Sequence, residues 1–461
     1  MAFSVRILSR EMVRPSEATP TGPLNLSVID RVPLLRFNLR MLLVFKDGDE
    51  TSVKSIREAL SKALVPYYPL AGRLKQSTSS DVDDDDDDDE DLRVFCTGEG
   101  VWFVEASADC TLDNVNYLDG STFATHQILL PDSIPADYQI AKGLQPILQM
   151  QVTSFKCGGI VIGLAFSHNV LDGAGVSQFM NAVGEFARGL ERPSIQPVWF
   201  RDFISTSSSS VVLREAPKIP AVPPPPLMPC YHIKPTSLDI AAHKLDHLKR
   251  ELSNSIGKTC STFEVLTASI WRSRTRAILN LNQISSINVK LVFYANASHI
   301  LNPPPPQGFY GNCIFPITVS VSSEWLVEAS LGEVVRVIKE AKTRLPSDFN
   351  KWIVRDHSKG DGDGDGDGDG DPFVVPIDYT TLCISDWTRL GVKDMDFGRG
   401  CPVHVVPPEV PDEIMSLQPF VLPCLPPKPK TGIRLAIWCV EESHLPSFLD
   451  QMKNLMETTS S

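Results

Sequence analysis

Apolar and polar positions divide the chain into short runs with clear periods. Ser4 to Val13 alternates as a strand does, and Leu39 to Phe45 and Ile160 to Phe166 are nearly continuous apolar runs, the second reading as a strand buried on both faces. Ser52 to Leu64 carries Val53, Ile56, Ala59, Leu60, Ala63 and Leu64 at helical spacing and stops at Pro66. Leu92 to Phe95 and Val101 to Val104 read as a hairpin turning at Gly98 and Gly100. Helices are predicted over Val176 to Ala187, Ile240 to Leu252, Thr262 to Leu279, Leu331 to Leu345 and Leu445 to Met456. Further strands are predicted at Val289 to Tyr294, Leu382 to Trp387, Val403 to Val406 and Ile433 to Val440. Pro303 to Gly311 shapes a loop.

At 461 residues the chain exceeds one ordinary core, and periodicity lapses between Arg192 and Pro235, where Ser207 to Ser210 and Pro223 to Pro226 lie. The expected division is therefore 1–192, a linker over 193–235, and 236–461. Two polar runs stand apart from these units. Residues 81–91 hold ten acids, and 360–371 alternates Gly and Asp and adds six more, so the formal charge of −13 becomes +3 without them. Both are expected to be solvated loops. An EF-hand in the second fails, because the twelfth position from Asp361, Asp363 or Asp365 is Pro372, Val374 or Pro376.

The near-neutral body carries no nucleic-acid footprint, and no run approaches the ~20 apolar residues of a membrane span. The N-terminus has no secretory apolar region, so the cytosol is the expected location and a monomer the expected state. Ten scattered cysteines form no C-x-x-C pair and read as reduced thiols, and no metal site is expected.

Chemistry concentrates in Cys157 to Ser177, CGGIVIGLAFSHNVLDGAGVS. His168 stands just past a buried strand, and Asp172, Gly173 and Gly175 turn the chain into a helix. On these residues alone His168 reads either as a hydrogen-bonded structural residue or as a group that takes and returns a proton near neutral pH. Asp172 reads as a group that orients the imidazole or braces the turn.

A second stretch, Asp396-Phe397-Gly398-Arg399-Gly400, extends this reading. HNVLDG resembles the HxxxDG motif, and DFGRG the DFGWG motif, of the plant BAHD acyl-CoA-dependent acyltransferases. The likeness continues through LSVIDR at Leu26, REALSKALVPYYPLAGRL at Arg57, STFEVLTASIWRSRTRA at Ser261, PPPPQGFYGN at Pro303 and ISDWTRLG at Ile384. It implies an α/β fold of mixed sheets, in two chloramphenicol-acetyltransferase-like domains with a channel between them. It also implies that His168 is a general base, that acyl-CoA is a co-substrate with no permanently bound cofactor, and that an alcohol or amine of a specialised metabolite is the acceptor. Within it, Asp172 is a brace and Asp396 holds the loop with Gly398 and Gly400, while Trp387 and Thr388 are channel and oxyanion candidates. Two positions depart from the family: Arg399 replaces Trp, and Ser298 replaces an Arg expected to pair with Asp172. The second change implies either an unpaired Asp172 or another cation in its place. A catalytically silent member that binds CoA esters or a partner is the alternative reading. A serine hydrolase is disfavoured by the lack of a G-x-S-x-G turn.

Overall fold

The computed structural model describes residues 3–48, 51–75, 92–120, 126–134, 144–201, 232–282, 287–354, 370–407 and 418–456. The acid-rich run 81–91, most of the Gly-Asp run and residues 202–231 of the expected linker lie outside these residues.

Two six-stranded mixed sheets and a smaller four-stranded one form the frame. The first large sheet has the order β1 (Val5–Val13), β6 (Val101–Ala108), β8 (Leu148–Ser154), β9 (Ile160–Ser167), β3 (Asn38–Phe45), β14 (His404–Val406). The second runs β10 (Thr236–Ile240), β16 (Ile433–Trp438), β15 (Phe420–Cys424), β13 (Thr381–Ile384), β11 (Asn288–Asn296), β12 (Ile314–Ser322). The small sheet orders β2 (Gly22–Asn25), β5 (Arg93–Cys96), β4 (Arg73–Lys75), β7 (Leu144–Pro146).

Every residue of β9 is buried, as its unbroken apolar run requires. Ile160, Ile162, Leu164 and Phe166 enter the main core beneath helices Ser52–Ala63 and Gly173–Ala187. Val161 points the other way, into a smaller cluster with Leu42, Val44, Leu129 and Leu130. The second core gathers around helices Thr262–Asn282 and Leu331–Ile353.

Two exchanges tie the halves together. Strand β14, from the second half, pairs with β3 of the first sheet, and Ile29, Val32 and Leu35, from the first half, sit in the second core. Sheet pairing decides the location of β14, which a local pattern of three residues cannot reveal.

Several elements differ from the sequence reading. The hairpin is absent: β5 joins the small sheet while β6 pairs with β1 and β8. Between them the chain changes sheets, with the Gly100 N–H donated to Ala71 O rather than across a turn. Ile240 ends a strand and the next helix spans Ala242–Ile256. Helix Leu331–Ile353 runs on through Pro346, its tail held by Phe349 and Trp352 against Phe315, so aromatic packing outweighs the lost backbone bond.

Candidate active site

His168 follows the last residue of β9, and its own N–H is donated to Phe37 O at 3.0 Å, continuing the β9–β3 ladder by one bond. The ring is half-buried, with Nδ1 turned fully inward. Phe37 meets it edge-on, 5.2 Å between ring centres. Burial lowers the imidazole pKa below its ordinary value, opposed by the nearness of its own carbonyl and of the Asn312 side chain and by the charge of Asp30. The ring is thus held neutral, the form that accepts a proton.

Behind the turn lies a buried polar network drawn from four distant segments. Asp30, fully enclosed, pairs with the buried Arg201, Nη1 to Oδ2 at 2.5 Å. The second nitrogen of Arg201 donates to Val170 O at 2.9 Å, and its guanidinium lies 4.2 Å from the centre of the Trp199 ring. Ser27 donates to Asp30 through both its N–H (3.0 Å) and its hydroxyl (2.8 Å). Asn169 Nδ2 donates to Asp30 O at 2.5 Å. Asn312 Nδ2 donates to Asp30 Oδ1 and to His168 O, both at 2.8 Å. The three residues His168, Asn169 and Val170 are therefore each anchored to Asp30, His168 and Val170 through Asn312 and Arg201 on its carboxylate and Asn169 on its main-chain carbonyl.

The sequence reading brought none of Asp30, Arg201 and Asn312 into the site. A charged residue between Ile29 and Val32, two buried apolar positions, was the available signal, because a charge in such a place requires a partner.

Asp172 caps helix Gly173–Ala187, its Oδ1 accepting from the Gly175 N–H at 2.8 Å. Gly173 and Gly175 serve close approach: a methyl at Gly173 would lie 2.5 Å from Leu390 Cδ1, and one at Gly175 would strike Tyr310 O. The helix start is thus pressed against two loops of the second half. Among the described residues Asp172 has no ion pair, and Ser298 offers it none. The nearby cation is Arg201, whose charge attracts Asp172 while its hydrogen bonds go to Asp30 and Val170.

Burial pushes the Asp172 carboxyl up to about 6, against the bonds from Gly175 and Ala174 that favour its charge. A folded-state pKa above the unfolded 3.8 means that ionisation costs the folded protein stability as pH rises from about 4 to about 6. Asp172→Asn, which keeps the cap, should gain stability relative to wild type across that window and hold the gain above it. Asp172→Ala should lose about 1 kcal/mol from the missing cap. Urea denaturation of the three proteins at pH 4, 6 and 8 checks both.

Asp396 lies elsewhere. Its Oδ1 accepts from the N–H groups of Gly398 (2.8 Å), Arg399 (3.1 Å) and Gly400 (2.9 Å), and both glycines take the left-handed φ near +90° that this tight loop demands. Phe397 stacks edge-on upon Phe45, 5.3 Å between centres. The Asp396 carbonyl accepts from Arg188 and covers Gly184 of the helix. From Gly173 to Gly184 the helix rises ~16 Å, which separates this loop from His168. Arg399 is exposed. A methyl at Gly184 would lie 2.5 Å from the Asp396 carbonyl oxygen. Gly184→Ala should accordingly cost about 1–3 kcal/mol and shift the loop, read by thermal melting and by increased amide exchange at Gly398 and Gly400.

Trp387 is buried in the main core, near the helix start through its neighbour Leu390. Its N–H is donated to Pro423 O at 2.8 Å, and Thr388 gives both its N–H and its hydroxyl to Asp386 Oδ1 at 2.9 and 2.7 Å. These three donors are committed, so an oxyanion would have to displace Asp386 to use Thr388.

A sequence model described as the transferase family matches residues 3–455. The chain belongs to this family. These are the BAHD acyltransferases that the motifs indicate, and the chain is an acyl-CoA-dependent acyltransferase. Acyl transferase 4 of Oryza sativa subsp. japonica is 39% identical over 480 residues, covering 98% of this chain and 99% of its own. The 3'-N-debenzoyl-2'-deoxytaxol N-benzoyltransferase of Taxus canadensis is 33% identical, covering 99% and 97%. Among solved structures, vinorine synthase superposes with a TM-score of 0.66 at 20% identity over 98% of both chains, which establishes the fold of this BAHD member as the chloramphenicol-acetyltransferase-like one. No helix of the described residues is long and apolar enough to cross a membrane.

Proposed function

We propose that this transferase moves an aromatic or acetyl group from acyl-CoA to a hydroxyl or amine of a plant specialised metabolite, with His168 as the general base. Nε2 of His168 takes the acceptor proton as the acceptor oxygen or nitrogen bonds to the thioester carbonyl carbon. The tetrahedral intermediate then breaks its carbon–sulfur bond, and the imidazolium returns the proton to the coenzyme A thiolate. Transfer is direct through a ternary complex: no cysteine lies in a nucleophile motif, and burial pushes the thiols of Cys313, Cys383, Cys424 and Cys439 up to about 12.

The observation that carries this reading is the half-buried imidazole at the end of β9, anchored from behind, with burial lowering its pKa and Nδ1 turned inward so that Nε2 is the nitrogen left for the acceptor. The silent-member alternative rests on Arg399, which is exposed, and on the missing Arg at Ser298. That motive weakens because the Asp172 carboxylate is engaged in a helix cap. The N-benzoyltransferase of Taxus canadensis acts on nitrogen, which keeps amines among the acceptors.

The test incubates wild-type protein with acetyl-, benzoyl- and cinnamoyl-type CoA esters against mixed alcohols and amines, with products read by mass spectrometry. An ester or amide is expected from at least one pair. Binding of CoA esters with no product from any pair would favour the silent member.

A further inference from the structure

Asn312 reaches His168 from the opposite half of the chain, and its chemistry fixes its orientation. The side-chain nitrogen must face Asp30, since a carboxylate accepts and an amide oxygen cannot donate. The same NH2 group bonds the His168 carbonyl. The Asn312 oxygen therefore points the other way, and it is buried with no donor. His168 Nδ1, in the residue that Asn312 already contacts, is buried with no acceptor.

Two unmatched buried atoms of opposite need, on adjoining side chains, are complementary once Nδ1 carries the proton. We propose that Asn312, clamped by the Asp30–Arg201 pair, is a positioning residue that holds His168 in the Nδ1–H tautomer and leaves Nε2 unprotonated toward the acceptor. Nδ1–H faces the Asn312 oxygen and the His168 carbonyl that Asn312 itself orients. When Nε2 takes the acceptor proton, the imidazolium keeps Nδ1–H against the same acceptors and gains from the Asp30 charge behind them. Asp30 does not take a proton; it fixes the amide. The assignment rests on His168 being the base, and it assigns to the loop before β12 a part in proton transfer rather than in packing alone.

Three measurements decide it. Asn312→Ala should lower kcat about tenfold to hundredfold, leave KM for both substrates within about twofold, and move the acid limb of the kcat profile to lower pH, because an acceptor that favours the imidazolium is gone. Wild-type kcat in this variant overturns the proposal, as does a lower kcat with an unmoved limb and a lower melting temperature, the signature of lost packing. His168→Ala, run in parallel, separates the two readings. If it retains turnover, the base assignment fails and the proposal falls with it; if it is inactive while Asn312→Ala is normal, the positioning role alone fails. Should Asn312→Ala not fold, nitrogen NMR of 15N-histidine-labelled wild type, with His168 assigned by difference against His168→Gln, supplies the answer. A neutral Nδ1–H tautomer supports the proposal, and a neutral Nε2–H tautomer overturns it.

Discussion

Replacing His168 with alanine is expected to lower kcat/KM by about 10²–10⁴ while leaving the circular dichroism spectrum and the thermal shift on CoA-ester binding unchanged. The fold should survive because the ring lies half-buried just past a strand end, and the backbone bonds of this turn, from Phe37 O, Asn312 and Arg201, do not use the imidazole. Burial lowers the pKa of the ring below 6.5. The acid limb of the wild-type profile should thus fall below pH 6.5, with a flat rate from there through neutrality. A variant that forms product at the wild-type rate would sink the base assignment.

The second large effect falls on stability. Arg201→Met removes the guanidinium from Asp30 and leaves a fully enclosed carboxylate with the uncharged donors of Ser27 and Asn312. Breaking one side of a buried pair in this way costs about 3–5 kcal/mol. The urea midpoint should drop with little change in slope. Asp30→Leu combined with Arg201→Met should be less damaged than Arg201→Met alone, since it leaves no unpaired charge, although Ser27 and Asn312 lose their acceptor. A single variant within 1 kcal/mol of wild type would mean that the pair contributes little, and the anchoring of the His168 turn would need another source.

What could be read from the sequence divides along a physical line. The turn at His168 was legible because a doubly buried strand, an Asp and two glycines lie within sixteen residues, and local sterics determine their geometry. The loop at Asp396 was legible for the same reason: its bonds span two to four residues. Helix Leu445–Met456 matches its predicted bounds, since its periodicity is local. The network behind His168 joins residues up to 282 apart, and no local pattern encodes which distant donor will meet a buried carboxylate. The β5–β6 hairpin failed likewise, because pairing partners are chosen by whole sheets. Arg201 stands at the threshold of an aperiodic stretch, where it reads as the start of a tether. It is in fact a keystone of the first half.

The exchange of β14 into the first sheet, and of Ile29, Val32 and Leu35 into the second core, has a consequence for how such enzymes can diversify. Each half finishes the other, so a chimera cut near residues 193–235 would join two mismatched interiors at once. New specificities in this architecture therefore have to arise by substitutions that leave both shared interiors intact, with the two halves inherited together.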